Sequence, residues 1–296
     1  MPNSNITISI CTYKRAYLIE TINSVIKSIN KTNEFVTINI IDNDEYQSAY
    51  QLLNDVQKGE NYIVQYFSEK SKGVVNARNK ALQSVNTKWL IFVDDDEVVE
   101  ENWLSKYLEI INNKKLSFGA VIGPVFTTYP SFVHTDIKNS GIHDRKHYKH
   151  LERICHGATG NCLIDMDVVK KFKVLFSKEF NETGGEDSDF FERLSQTAPI
   201  IWNSKSIVYE MLTTERASHE WALHRLYNNG KTYGRRKIMR NGSKYIPYLL
   251  SSSCFKLLYH SMLYIVSFHN SARLFRMKCE IYRDYGRIES CFDGLK

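Results

Sequence analysis

The chain has 296 residues, of which 43% are hydrophobic and 24% charged, an ordinary balance for a globular protein. At about 100–200 residues per domain this suffices for one large α/β domain plus an appendage. The formal net charge of +6 is unevenly placed: residues 1–210 carry 24 Lys+Arg against 27 Asp+Glu, a net of −3, and residues 211–296 carry 15 against 6, a net of +9. The basic character therefore belongs to the C-terminal part and needs its own explanation.

The six cysteines, Cys11, Cys155, Cys162, Cys254, Cys279 and Cys291, show no C-x-x-C and no paired metal spacing. They read as reduced cytosolic thiols rather than a disulfide framework. The opening Met1-Pro-Asn-Ser-Asn-Ile-Thr-Ile lacks a basic flank followed by an apolar core and does not read as a signal peptide. No repeat or low-complexity stretch stands out.

In chain order, Ile6–Ile10 predicts a strand ending at Thr12-Tyr13, and Leu18, Ile22, Val25, Ile26 and Ile29 recur at helical spacing within residues 16–30. Val36–Ile41 predicts a second buried strand, closed by Asp42-Asn43-Asp44, and Tyr62–Phe67 a third. A helix is expected over Val75–Val85 and a fourth strand over Lys88–Val93, running into Asp94-Asp95-Asp96. Trp103, Leu104, Tyr107, Leu108 and Ile111 mark another amphipathic helix, and Gly119–Phe126 a strand. Such alternation implies parallel pairing, with ligands beyond the carboxyl ends of the strands, where Tyr13, Asp42 and Asp94 fall.

From residue 127 to 153 the chain is polar and poorly periodic and reads as a loop near an acceptor. His156–Asp165 is a Gly-punctuated strand entering a helix at Asp167. Gly184-Gly185 precedes Glu186-Asp187-Ser188-Asp189-Phe190-Phe191, carboxylates at the start of an apolar helix, where the helix dipole holds them ionised. Ile200–Tyr209 predicts a further strand. Glu215–Arg240 predicts a long helix with interruptions at Gly230 and Gly234.

Three adjacent carboxylates at a buried strand tip repel one another. A hard divalent cation, Mg²⁺ or Mn²⁺, resolves the repulsion by binding one or two carboxylates together with substrate phosphates. A metal–phosphate clamp and a separate ionised base suit a sugar-nucleotide transferase. A solvated turn is the alternative for the aspartates, and plain helix capping, at under about 1 kcal/mol each, is the alternative for Glu186, Asp187 and Asp189.

These motifs, together with Ile8-Ser-Ile-Cys-Thr-Tyr-Lys-Arg15 and Gly73-Val-Val-Asn-Ala-Arg78-Asn79, resemble the family 2 glycosyltransferases from about residue 6 to 240. The resemblance implies an α/β GT-A fold with a mostly parallel, Rossmann-like central sheet. A catalytic domain would span 1–240, its nucleotide part about 1–126 and its acceptor part about 127–240, followed by a helical, basic region over 241–296. It implies Asp94 towards the ribose, Asp96 on Mn²⁺ or Mg²⁺ with Asp94, and Asp187 as the base of an inverting displacement. Thr12, Tyr13, Arg15, Asp42, Arg78 and Asp95 would hold the nucleotide, a UDP-sugar. Gly160, Asn161, Glu186 and Trp221 would face the sugar or a glycan or lipid-linked acceptor, and His219 is a candidate third metal ligand. Tyr13 fits packing as well as stacking, Asp42 fits a turn, and a surface role suits His219. The stretch from Arg216 to Arg225 departs from the Q-x-x-R-W of processive synthases, so a polymerase is not expected.

Residues 245–270 are apolar and aromatic, but Lys256, His260 and several serines interrupt them short of about 20 uniformly apolar residues. They suit a helix lying in a membrane interface, with the following arginines attracted to anionic lipid, or else a helical cap. The expected location is the cytoplasm, peripheral on the inner membrane. Two rival classes are a nucleotidyltransferase, which lacks support because Cys11–Arg15 has no glycine, and a non-catalytic membrane or nucleic-acid module. No RNA-binding aromatic signature is present, and no dinucleotide or P-loop motif.

Overall fold

The computed structural model describes residues 5–293 apart from residues 57 and 182. The chain opens with β1 (Ile6–Thr12), α1 (Leu18–Ile29), β2 (Val36–Asp42), β3 (Tyr62–Ser68), α2 (Val74–Gln83) and β4 (Trp89–Asp94). Strands β1 to β4 pair in parallel, and β1, β2 and β4 are buried along nearly their whole length. That is why they read as continuous apolar runs rather than alternating ones. Helix α1 covers one face of the sheet through Leu18, Ile22, Val25, Ile26 and Ile29.

There follow β5 (Glu97–Val99), α3 (Trp103–Ile111), β6 (Ala120–Ile122), β7 (Val125–Thr128), α4 (Thr135–Ser140), β8 (Arg153–Ile154), β9 (Asn161–Asp165) and α5 (Met166–Phe172). Then come α6 (Glu186–Leu194), β10 (Ile200–Trp202), β11 (Val208–Met211), α7 (His219–Asn241), α8 (Ile246–Val266) and α9 (Ser271–Ser290). The large sheet has the order β3-β2-β1-β4-β9-β6-β10-β8, and a small one has β5-β11-β7. Strand β9 enters antiparallel between β4 and β6, so the sheet is mixed on that side.

The single strand expected over Gly119–Phe126 divides at Gly123-Pro124 into β6 and β7, which belong to different sheets. The strand expected over Ile200–Tyr209 divides likewise into β10 and β11. Proline lacks the N–H that would continue a ladder, and Asn161 ties the two crossings together: its Nδ2 donates to Pro124 O at 2.8 Å and to Ser206 O at 2.7 Å.

The described residues form two compact units. The first lies within Met1–Phe126, Arg145–Glu182 and Glu186–Glu210, and the second within Thr127–Asp144, Thr183–Gly185 and Met211–Lys296. In the second unit the segment expected as a loop contains α4, whose Ile137 is buried with Ala222, Leu226, Phe275 and Cys279. Helix α7 runs unbroken through Gly230 and Gly234. A Cβ at Gly230 would overlap the carbonyl of Arg283, and one at Gly234 the side chain of Ser290. The glycines therefore serve close packing on α9 and do not interrupt the helix.

Helix α8 also packs along α9, with Leu249, Ser253 and Ser267 buried. His260 Nδ1 lies 2.6 Å from Asp284 Oδ2, and Arg287 Nη1 donates to Asp284 Oδ1 at 2.9 Å. By length and composition Ser243–Val266 is one helix able to cross a membrane. This corrects the expectation that the segment is too interrupted: Lys256 and the serines do not break a helix of 21 residues, about 32 Å long at 1.5 Å per residue.

Candidate active site

The register of the large sheet gathers the strand ends. Thr12 lies opposite Asp42, and Cys11 opposite Asp94. Thr12 Oγ1 donates to Asp95 Oδ2 at 2.7 Å. Arg15 holds the rest of the run, with Nε 3.6 Å from Asp95 Oδ1 and Nη2 3.4 Å from Asp96 Oδ2. Burial pushes the Asp95 carboxyl up to about 6; Thr12 and Arg15 pull it down, and the Asp96 and Asp94 charges push it up.

Arg78 occupies the centre of the site. Gly73, at φ +127°, precedes α2, a backbone angle glycine adopts without a Cβ penalty. One turn and a half later the buried Arg78 guanidinium reaches three carboxylates. Its Nη1 is 2.8 Å from Asp187 Oδ1 and is also bonded to Glu186 Oε1, while Nη2 is 3.8 Å from Asp94 Oδ1. Gly184 and Gly185, both at positive φ, turn the chain into α6, so that Glu186 and Asp187 stand on its first turn. Asp187 accepts from Thr159 Oγ1 at 3.2 Å and from the Thr159 N–H at 3.4 Å. Burial raises the Asp187 carboxyl above its ordinary range; the Arg78 charge and the Thr159 hydrogen bonds oppose that, and the Glu186 charge adds to it.

Two residues beneath the aspartates carried no role in the sequence reading. Glu97 is fully buried and accepts the Asp94 N–H on Oε2 at 3.2 Å. Arg145 Nη2 bonds Glu210 Oε2 at 2.6 Å and lies 3.4 Å from Glu97 Oε1. Burial, together with the Asp94 charge, pushes Glu97 well above the usual carboxylate range. Gly160 roofs this pair: a Cβ there would stand 2.5 Å from Glu97 Oε1 and 3.0 Å from Asp94 Oδ2. The fourth acid in Asp94-Asp95-Asp96-Glu97 was the available signal for Glu97. Arg145, in a polar stretch far along the chain, gave none.

The charges fit a cation. Asp94, Asp95, Asp96, Glu97, Glu186, Asp187 and Glu210 pair with Arg15, Arg78 and Arg145. Burial first, and then the charges of neighbouring carboxylates, raises Asp94, Asp95, Glu97 and Asp187. A hard divalent ion that accepts carboxylate oxygen and phosphate suits this donor set. Asp94 is the most accessible of the three aspartates, its side chain 39% exposed against 12% for Asp95 and Asp96.

The remaining expected contacts have their own surroundings. Asn161 is buried with its amide saturated: Oδ1 accepts from Trp103 Nε1 at 2.9 Å and Tyr107 Oη at 2.8 Å, and Nδ2 makes the two bonds at the strand crossings. Two acceptors and two donors exhaust an amide, so Asn161 is a structural residue and not a contact for a sugar hydroxyl. Asp42 is fully buried and accepts from the Asp44 N–H, the Ala49 N–H and Tyr66 Oη at 2.9–3.1 Å. Tyr13 is 44% exposed, with the Lys14 and Lys72 ammoniums over its ring. Trp221 and His219 belong to the second unit. There Trp221 stacks on His143 at 5.6 Å and lines a groove of about 670 Å³ with His224, Tyr227 and Tyr282. His219 Nε2 is 2.8 Å from Asp136 Oδ2.

This chain is 29% identical over 238 residues to the succinoglycan biosynthesis protein ExoM of Rhizobium meliloti strain 1021, an overlap of 79% of this chain and 76% of the relative. Among solved structures it is similar to residues 1–349 of S. aureus TarS in complex with UDP, with a TM-score of 0.54, 13% identity and 98% and 92% of the two chains covered. It is also similar to the mannosyltransferase PcManGT of Pyrobaculum calidifontis in complex with GDP-Man and Mn²⁺, with a TM-score of 0.62, 14% identity and 98% and 87% covered. These likenesses establish the GT-A fold. The model of glycosyl transferase family 2 matches residues 7–172, which is 166 of the 296 residues, and the chain belongs to that family.

Proposed function

We propose that this chain is an inverting, metal-dependent glycosyltransferase that moves a sugar from a nucleotide sugar to a hydroxyl of a glycan or lipid-linked acceptor in cell-surface polysaccharide assembly. The observation that carries the reading is the Arg78-centred cluster, which puts an ionisable carboxylate on α6 beside the acidic tip of β4. The relationship to ExoM, a succinoglycan biosynthesis protein, supports the polysaccharide setting. Structural neighbours solved with UDP, UDP-GlcNAc and GDP-Man with Mn²⁺ support a nucleotide-sugar donor and a divalent ion. A UDP-sugar is the donor we favour.

Asp94 and Asp96 would hold Mn²⁺ or Mg²⁺, which when bound supplies charge neutralisation at the donor diphosphate. Thr12 and Arg15 fix Asp95 and Asp96, so the Asp96 carboxylate is set before a ligand arrives. Glu97 fixes the Asp94 backbone. Tyr13 offers a ring to the base, and Asp42, with its oxygens engaged by the following loop, holds the shape of that pocket. Arg78 serves the nucleotide phosphates by keeping Asp94 and Asp187 apart and ionised.

Asp187 takes the proton of the acceptor hydroxyl as its oxygen bonds the anomeric carbon. The bond from that carbon to the donor phosphate oxygen breaks, and its electron pair leaves with the nucleoside diphosphate. Attack opposite the leaving group inverts the anomeric configuration. Glu186 orients Asp187 through their shared Arg78.

Trp221, on a groove wall of the second unit, is assigned to acceptor binding, and α8 is assigned to the cytoplasmic face of the inner membrane. One face of α8 is taken up by α9, so only its outer face meets lipid, and the helix lies flat instead of spanning.

The deciding experiment is calorimetry of UDP, GDP, CDP and TDP with and without Mn²⁺ on the wild type, Asp94→Asn and Asp96→Asn. UDP binding that needs both the ion and the aspartates supports the reading. A different preferred nucleotide changes the donor, and nucleotide binding indifferent to metal and aspartates overturns the clamp. Product with the donor's own anomeric configuration would overturn Asp187 as the base of a single displacement.

A further inference from the structure

A second group of cation donors lies wholly within the second unit. His134 stands immediately before α4, Asp136 is in its first turn, and His219 is the first residue of α7. His134 Nδ1 is 2.6 Å from Asp136 Oδ1, and His219 Nε2 is 2.8 Å from Asp136 Oδ2. One donor atom from each residue falls within 4.8 Å of the others.

The three side chains differ in how firmly they are held. Asp136 is 13% exposed and is anchored by the Ile137 N–H on Oδ1 at 2.7 Å. His219 stands edge-on to the buried Phe275, ring centroids 4.5 Å apart, at the rim of the cluster that holds Ile137, Ala222 and Leu226. Both imidazoles are exposed, His134 at 70% and His219 at 45% of their side chains. A carboxylate fixed by backbone and two exposed imidazoles, one of them edge-on to Phe275, make a half-built coordination shell with one side open to water.

Two imidazole nitrogens and one carboxylate oxygen are the donor set of a borderline ion of the Zn²⁺, Co²⁺ or Ni²⁺ type, whereas Mg²⁺ and Mn²⁺ prefer oxygen. We propose that His134, Asp136 and His219 form a binding site for a borderline divalent cation, Zn²⁺ being the type, with a fourth position open to water or a ligand oxygen. The ion would clamp the start of α4 to the start of α7. Trp221, two residues after His219 and on the groove wall, would be ordered with it. A carboxylate that merely bridges two imidazoles by hydrogen bonds would give the same coordinates without binding metal, and the experiment separates the two.

The test uses the full chain carrying no histidine tag, titrated with Zn²⁺ against a chromophoric chelator, and with Co²⁺ followed by visible absorption. The background is Asp94→Asn/Asp96→Asn, so the acidic cluster of the first unit adds no site and the result is independent of transferase activity. One equivalent of Zn²⁺, not displaced by excess Mg²⁺, with a Co²⁺ spectrum of low-symmetry nitrogen and oxygen ligation, is the expected result. His134→Gln, on an exposed ring that the fold does not need, and His219→Ala should each weaken Zn²⁺ by about tenfold or more. Zn²⁺ affinity unchanged in both variants, or no equivalent bound by the parent, overturns the site and leaves a hydrogen-bonded bridge. Should His219→Ala unfold, as judged by circular dichroism, His134→Gln alone decides.

Discussion

The Arg78 guanidinium lies 2.8 Å from Asp187 and 3.8 Å from Asp94, so one buried side chain from α2 links the acids of α6 to the tip of β4. No other cation is recorded on Asp187 among the described residues. Removing one member of a buried ion pair leaves charge without compensation, and Arg78→Ala should cost about 3–5 kcal/mol of stability. Arg78→Lys should recover part of it, since an ammonium keeps the charge but cannot fork between two partners. Urea unfolding of the three proteins at pH 7.5 checks this. A loss under about 1 kcal/mol for Arg78→Ala would place the cluster in solvent-like surroundings.

Thr159 tunes the proposed base. Its hydroxyl and N–H both bond the Asp187 carboxylate and lower its pKa, against a burial effect that raises it. A base must be ionised to act, so kcat/KM should rise with pH through an acidic limb set by Asp187, above the ordinary carboxylate range. Thr159→Val removes the hydroxyl bond and should move that limb to higher pH, leaving the plateau little changed. A limb that stays in place, with only the plateau lowered, would assign Thr159 to substrate positioning instead.

Much of the first unit was legible because strands buried on both faces read as apolar runs and their tips read as Asp. The Glu186-Asp187 pair stood out for the two glycines before it. Asn161 misled because an Asn beside glycines looks like a ligand contact, whereas its four partners come from Trp103, Tyr107, Pro124 and Ser206, and no local pattern records them. Gly230 and Gly234 misled for a similar reason. Glycine weakens an isolated helix, but its value here is the approach of α9, which only the tertiary structure contains. The split of the strands after Ile122 and Trp202 was signalled weakly by Gly123-Pro124 and by Asn203.

Asp95 gives a pH signature to folding. Its carboxyl is raised from 3.8 to about 6, so the folded state holds the proton more tightly than the unfolded one. The stability this confers is full below the unfolded value and is lost as pH rises through about 6. Two units correspond to about 3 kcal/mol. In EDTA, Asp95→Asn should unfold at higher urea than the wild type at pH 7.5 and close to it at pH 4. An equal difference at both pH values would show that Asp95 does not titrate in this range.

Gly160 tests the floor of the site. An added methyl would press on Glu97 Oε1 and Asp94 Oδ2, and Glu97 cannot retreat because the Asp94 N–H and Arg145 hold it. Gly160→Ala should therefore weaken Mn²⁺-dependent nucleotide binding by about tenfold while metal-free folding changes by about 1–3 kcal/mol, the usual cost of overpacking. Calorimetry beside urea unfolding separates the two effects. Unchanged nucleotide affinity would mean that Asp94 is free to swing away and is not positioned by Glu97.

Helix α8 carries the membrane reading to a test. Tyr248, Phe255, Leu258, Tyr259, Met262 and Ile265 are all more than half exposed, and at about 100° per residue they fall on one side of the helix as one apolar stripe. The opposite face is committed to α9 through Leu249, Ser253 and the His260–Asp284 pair. Residues 211–296 carry a net charge of +9, so an anionic lipid surface fits the region better than a neutral one. The wild type should sediment with vesicles containing phosphatidylglycerol and much less with pure phosphatidylcholine, and 0.5 M salt should release part of it, as expected where Debye lengths fall to a few Å. Phe255→Asp/Leu258→Glu should abolish the binding without unfolding the chain, because both side chains point away from α9. Should the wild type ignore both vesicle types and sediment as a dimer that the same substitutions dissociate, the stripe belongs to a second copy of the chain and the membrane assignment fails.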